Sequence, residues 1–185
     1  NVSFTLSQGD GAKAVYVWYR DAAGNISSSS SRSIILDMSV PTGTIIVNNG
    51  AVATNAQSVT LALTAADTVP GVLKMAFSFD GTIYSEWYDL SASKTLILPA
   101  GSGAKTIYVK YKDAAGHEST PYRYDIYLDT AVPNPTITTP VSGATVQSLF
   151  FIAGTATDAQ PSSGLNKIEL QVTDGTNYLK SDGTW

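Results

Sequence analysis

Apolar and polar residues alternate with a period of two along most of this chain, and no stretch keeps the 3.6-residue period of a helix. In Lys105–Lys112, Ile107, Val109 and Tyr111 fall on one face and Tyr108, Lys110 and Lys112 on the other. In Tyr122–Asp129, Tyr124, Ile126 and Leu128 point inward and Arg123, Asp125 and Tyr127 outward. Ser58–Ala66 (Val59, Leu61, Leu63), Leu73–Phe79 (Leu73, Met75, Phe77, Phe79) and Lys94–Leu98 (Leu96, Leu98) follow the same rule. Shorter segments near Thr44–Asn48 and Tyr84–Tyr88 complete a set of seven predicted strands. Asn49-Gly50, Asp80-Gly81, Gly101-Ser102-Gly103 and Ala115-Gly116 supply turns between them. This alternation is what an antiparallel sheet with one covered face requires.

The pattern repeats. Residues 9–41 and 101–133 align without a gap, with 17 of 33 positions identical at an offset of 92. A fainter match relates 41–81 to 133–175, pairing Ile45 with Ile137, Asp67 with Asp158 and Lys74 with Lys167. The expected organisation is half, whole, half. Residues 1–38 are the C-terminal part of one repeat, carrying its last three strands. Residues 39–130 are a complete repeat. Residues 131–185 are the N-terminal part of a third, divergent repeat, with Ile137, Phe150, Ile152, Ile168, Leu170 and Val172 on its apolar face. Interrupted in mid-repeat at both ends, the chain reads as a piece of something longer, or as a subunit whose halves are completed by neighbouring copies.

Seven short strands per repeat, with turns every 8–12 residues, predict an all-β fold of tandem immunoglobulin-like seven-stranded β-sandwiches, one complete and two partial. The residues at 16–25, Tyr-Val-Trp-Tyr-Arg-Asp-Ala-Ala-Gly-Asn, followed by Asp37-Met38-Ser39-Val40-Pro41 and its counterpart Asp129-Thr130-Ala131-Val132-Pro133, resemble the tandem bacterial immunoglobulin-like repeats of large secreted surface and adhesin-type proteins. Ile152–Asp158 is similar to a B strand of such repeats. The resemblance implies an extracellular or cell-surface location and a structural role. It also implies joints stiffened by calcium. The chain departs from the pattern at His117, where asparagine is usual.

Composition narrows the functional classes. Charged residues make up 14% of the chain, against about 25% in an average soluble protein. Ser and Thr, 21 of each, take over the polar role. With no Cys and a single His, a disulfide framework, a Cys-based zinc site and a nucleophile–histidine catalytic centre are all excluded or improbable, so the expectation is no enzyme. A net charge of −4 provides no basic field for nucleic acid, and no apolar run is long enough to insert in a membrane.

The acids that remain are mostly Asp, and several fall where loops and linkers meet. In a sandwich of this kind, the B–C and F–G loops lie at the end where the chain enters. Asp67 in the B–C loop, Asp113 in the F–G loop and Asp37 in the linker are therefore expected to converge on one joint, and Asp129 and Asp158 on the next. Clustered carboxylates repel unless protonated or bridged by a cation, and calcium takes 6–8 oxygens from flexible loops. The competing reading is that an Asp in Asp-Ala-Ala-Gly caps its own turn by accepting backbone N–H bonds.

Tyr108 and Tyr127 alternate outward on adjacent strands and, if cross-strand neighbours, form an aromatic pair that suits a sugar ring or a cell-surface glycan. His117 reads as a solvated turn residue. The leading functional expectation is a non-catalytic spacer, partnered by neighbouring repeats of its own or other copies. The alternatives are a carbohydrate-binding accessory module of a secreted polysaccharide-degrading enzyme and a self-assembling filament or sheath subunit.

Overall fold

The computed structural model describes residues 3–69, 71, 73–145, 147–148, 151–158, 163–173 and 176. Twelve strands form among them: β1 (Gly11–Val17), β2 (Ser30–Leu36), β3 (Thr42–Val47), β4 (Ala53–Thr54), β5 (Ser58–Ala66), β6 (Lys74–Ser78), β7 (Tyr88–Asp89), β8 (Ser93–Ile97), β9 (Gly103–Lys112), β10 (Tyr122–Leu128), β11 (Asn134–Thr139) and β12 (Ala153–Thr157). No α-helix occurs among the described residues, so none is long and apolar enough to cross a membrane.

The central repeat is a two-layer sandwich. One layer runs β3-β5-β8 and the other β4-β10-β9-β6-β7. Every pairing is antiparallel except β4 beside β10. Ile45, Val47, Val59, Leu61, Leu63 and Leu98 from the first layer meet Met75, Phe77, Ile107, Val109, Tyr111, Ile126 and Leu128 from the second. Burying each large side chain contributes roughly 1.5–3 kcal/mol. The alternation seen in the sequence is thus the alternation of core and surface.

The first strand is divided, which the seven-strand expectation lacks. Asn48, Asn49 and Gly50 have φ of 45°, 56° and 92°, a left-handed run that Asn and Gly tolerate better than other residues. The Asn48 side-chain oxygen accepts the Thr60 amide at 2.9 Å, which fixes the turn on β5. The chain therefore leaves the first layer after β3 and re-enters as β4 in the second.

The most tightly specified contact joins the layers. Tyr111 is fully buried, and its hydroxyl donates to the Thr44 carbonyl at 2.6 Å. Its ring covers Gly43, where an added Cβ would stand 2.3 Å from the ring and 2.5 Å from the Thr64 carbonyl oxygen. Burial, with the neighbouring Tyr122 adding to it, pushes the Tyr111 phenol up to about 12.

Two expected details differ. Phe79 is 40% exposed, because β6 stops at Ser78. The Ser78 hydroxyl accepts from the Asp80 and Gly81 amides and donates to the Asp80 carboxylate, so the chain turns before Phe79 can point inward. The segment predicted at Tyr84–Tyr88 pairs only over Tyr88–Asp89. Upstream of it, Ser85 bonds β6 twice, by its amide to the Phe77 carbonyl (2.8 Å) and by its hydroxyl to the Phe77 amide (3.0 Å).

Each flank is thinner than expected. The first holds the hairpin β1–β2, while residues 3–7, where the first of its three expected strands falls, form none. The last holds β11–β12, and residues 163–172 form no strand. Phe150 lies outside the described residues.

Two outcomes follow for the central repeat. Gly43→Ala should lower its stability by about 1–3 kcal/mol, since neither a packed ring nor a strand carbonyl can yield, seen as a drop in thermal midpoint. The neutral phenol's contribution is whole below the ordinary tyrosine value of about 10 and is lost as pH rises through the folded value. The midpoint should therefore hold from neutral pH to about 9 and fall above 10, and Tyr111→Phe should flatten that fall. A wild-type midpoint unchanged to the alkaline limit would contradict the burial.

Candidate functional site

Among the described residues, three hairpin turns share one construction. In each, an aromatic residue and the serine eight positions on exchange two bonds. The serine amide donates to the aromatic carbonyl, at 2.9 Å for Ser27–Tyr19, 2.8 Å for Ser85–Phe77 and 2.9 Å for Ser119–Tyr111. The aromatic amide donates to the serine hydroxyl at 3.0 Å in all three. An Asp inside each turn then gathers the remaining donors. Asp21 accepts from the Asn25 amide and side chain, both at 2.8 Å. Asp80 accepts from the Thr82 and Ile83 amides. Asp113 accepts from the Gly116 amide (2.7 Å) and the His117 amide (2.9 Å). The turn-capping role open from sequence to Asp21 and Asp113 is therefore present in both, and Asp80 shows it as well.

His117 is not a free surface ring. Its Nδ1 lies 3.0 Å from Asp113 Oδ2, the position that the Asn25 amide takes against Asp21 Oδ2 one repeat earlier. The imidazole has replaced the asparagine without losing the bond, so the expectation of a solvated histidine is corrected. The Asp113 side chain is 1% exposed. Burial raises its carboxyl, but the His117 and Gly116 amides and the His117 ring outweigh that and hold it below the ordinary value.

The strand framework brings this turn to the linker. β9 ends one residue before Asp113, and β3 begins one residue after the fully buried Pro41. Asp37, Asp113 and His117 each offer a ligand atom, and these atoms lie within 4.8 Å of one another. Asp67 joins through Ser39, whose hydroxyl oxygen lies 2.9 Å from Asp37 Oδ1 and 2.8 Å from Asp67 Oδ1, its one proton shared between them. Asp67 Oδ2 is buried and has no hydrogen-bond partner. A fourth carboxylate, unremarked in the sequence, completes the joint: Asp10 accepts from the Met38 amide at 2.7 Å and from the Thr68 hydroxyl at 3.3 Å. The 92-residue offset places Asp10 on Ser102, which holds the Thr130 amide at 3.0 Å in the same way. That correspondence was the signal that could have found it.

At the second joint Asp129, buried, accepts from the Ala131 amide at 3.1 Å and from the Ser163 amide and hydroxyl of the third repeat. The bonds from Ser163, opposed by burial, lower its carboxyl. Asp158 Oδ1 is buried without a partner, as Asp67 Oδ2 is at the equivalent place.

Tyr108 and Tyr127 do not form a pair. Tyr108 stands opposite Arg123 and Tyr127 opposite Ala104, four positions apart along β9. Tyr108 also packs on the turn at Gly81, where a Cβ would meet its ring at 3.2 Å. On the same strand Lys110 lies over Tyr84 and Lys112 over Trp87, at 4.7 and 4.1 Å from the ring centres. The segment after β6 thus lies along the outward face of β9 at Tyr108, Lys110 and Lys112.

No protein-family model matches the sequence, and no curated protein matches it. Three solved structures are similar in outline. The PKD1 domain of Vibrio anguillarum Epp is 13% identical, over 49% of this chain and 94% of that one, with a TM-score of 0.37. The PKD domain of an M14-like peptidase from a Thermoplasmatales archaeon is 14% identical, over 48% and 92%, with a TM-score of 0.37. A tetra-tandem repeat in the extending region of a large adhesion protein is 21% identical, over 70% and 34%, with a TM-score of 0.42.

Because the Asp113 and Asp129 carboxyls both sit below their ordinary value, their contribution is whole above the unfolded value of about 4 and is lost as pH falls through the folded ones. Calorimetric midpoints should be flat from neutral pH to about 5 and decline below 4. Asp113→Asn should start lower and lose less in acid. A wild-type midpoint unchanged into strong acid would contradict these bonds.

Proposed function

We propose that this chain is a non-catalytic spacer of tandem immunoglobulin-like repeats in an extracellular bacterial surface protein, and that calcium clamps successive repeats at their joints. The observation that carries the reading is the bare oxygen at each joint. Asp67 Oδ2 and Asp158 Oδ1 occupy equivalent places, and both are buried with no donor. A buried carboxylate oxygen without a donor is costly, and more so in a crowd of like charges. At the first joint that crowd is Asp10, Asp37, Asp67 and Asp113. A divalent cation offsets both costs.

The donors suit calcium. They are hard oxygens on loops, carboxylates with the Ser39 hydroxyl among them, and calcium accepts several such ligands without strict geometry. His117 is engaged by Asp113 and braces that carboxylate. Asp37, Asp67 and Asp113 would hold the ion at the first joint, and Asp129 and Asp158 would contribute at the second. A cation there links residues of the linker, the B–C loop and the F–G loop, and so restricts the angle between repeats. A spacer needs that stiffness more than it needs a pocket.

Millimolar calcium should raise the thermal midpoint relative to chelator. For the 10⁻⁴–10⁻³ M affinities of extracellular modules the gain at 1 mM calcium is about 0.4–1.4 kcal/mol, or roughly 2–10 °C for a domain this size. Asp67→Asn should abolish most of the rise while leaving the chelator-bound midpoint nearly unchanged. Small-angle scattering should show a longer, less variable particle with calcium. Identical midpoints and scattering with and without the ion would overturn the reading.

A further inference from the structure

The two layers of the central repeat end in β3, β8, β4 and β7. β4 and β7 are two residues long. β3 lies beside β10, and the Tyr111 hydroxyl bonds its Thr44 carbonyl. That leaves β8, five residues long and, among the described residues, paired with β5 on one side and with no strand on the other. The Leu98 amide donates to the Gln57 carbonyl and the Leu63 amide to the Ala92 carbonyl, both at 2.9 Å, so the even-numbered residues turn their amides and carbonyls to β5. The odd-numbered ones, Ser93, Thr95 and Ile97, turn theirs away from it. A row of this kind is a template for another strand. The strand belongs to the complete repeat, and its Leu96 and Leu98 pack into the finished core.

Three features blunt that template. Ser91 folds its hydroxyl onto Ser93, donating to the carbonyl at 2.8 Å and accepting from the amide at 3.4 Å, as a partner strand would. Position 99, the next to face outward, is a proline and has no N–H to give. Only Thr95 and Ile97 stay open. Between them and Ser93, in the inward row, stands Lys94. It opposes the fully buried Leu61 and alternates with exposed residues, so its place is one where an apolar side chain belongs. At the 92-residue offset its counterpart is Val2. The lysine stem crosses the seam between the layers, and its ammonium rests 3.8 Å from the centre of the Tyr88 ring on β7.

Nothing else here repels a like strand. The outer face of β3, β5 and β8 carries no charge, and Ile97 on it is 62% exposed. Two copies of β8 would pair antiparallel about Leu96, Thr95 of each bonding Ile97 of the other. Lys94 would then face Leu98 of the second copy, and the seam would close over its ammonium. Four edge hydrogen bonds replace bonds to water and return little. An ammonium shut away from water with only a ring beside it costs far more. We propose that Lys94 guards this edge: it keeps β8 from adding to the β8 of a second copy, while Ser91 and Pro99 shorten the edge from either end. Repeats in tandem hold like edges at high local concentration, the condition under which an open edge associates.

The test removes the charge. Lys94→Val supplies the residue type found at the equivalent position of the preceding repeat, and Lys94→Thr is a second neutral variant. Amide exchange is followed by NMR in the full 185-residue chain at rising protein concentration, with the β9 amides reporting that the central repeat is folded. In the wild type and in Lys94→Arg, the Thr95 and Ile97 amides should exchange at one rate at every concentration. In both neutral variants they should slow as concentration rises, by roughly 10-fold or more at the highest. Adding Thr95→Pro, which removes one of the bonding amides, should abolish the slowing at Ile97. Concentration-dependent protection of Thr95 and Ile97 in the wild type would overturn the proposal. So would its absence from a neutral variant whose β9 amides stay protected, or its survival at Ile97 after Thr95→Pro.

Discussion

The phenol of Tyr111 lies across Gly43 and donates to the carbonyl of Thr44, and much of the molecule's order depends on that contact. It pins the end of β9 to the start of β3, two strands from opposite layers. Two residues beyond Tyr111 the chain reaches Asp113, and two residues before Gly43 it passes the buried Pro41 on its way from Asp37. The core contact therefore sets the distance between the F–G turn and the linker. Carboxylates from both can then lie within a few ångströms of one another although nothing in their own chemistry draws them together. A loosened Tyr111 would be felt first at the joint.

The serine-rich, charge-poor surface has a structural cause. The doubled bond between an aromatic residue and the serine eight positions later occurs at Tyr19, Phe77 and Tyr111. It satisfies the amide and carbonyl at the end of a strand where the ladder stops, and an Asp in the turn collects the amides that remain. A backbone with many short hairpins has many such ends. Ser, Thr and Asp supply compact acceptors for them without the entropy cost of long charged side chains.

The joints extend this logic between repeats. Asp37 and Asp129 each accept from a backbone amide two residues on, as linker residues that precede a proline. Each also reaches beyond its own segment, Asp37 through Ser39 to Asp67 and Asp129 directly to Ser163. Asp10 stands at the first joint where the later repeat has Ser102, a carboxylate in one and a hydroxyl in the other holding the amide at the same place. The two joints are variations on one construction rather than copies.

Alternation alone determined the strands β5, β6, β8, β9 and β10 and the inward positions of β9 and β10, because side-chain direction in a strand has a fixed period. The placement of the B–C and F–G loops at the end where the chain enters led to Asp37, Asp67 and Asp113, and the repeat offset related Asp67 to Asp158. What the period cannot express was decided in three dimensions. The division of the first strand came from three left-handed residues that move the chain between layers. The outward Phe79 came from a serine that ended its strand early. The separation of Tyr108 from Tyr127 came from register, which a one-dimensional pattern leaves free. The bond from His117 to Asp113 came from a turn that offers an imidazole the place of an amide. Sequence fixes which way each side chain faces along its own strand; only packing decides which strand it finds there.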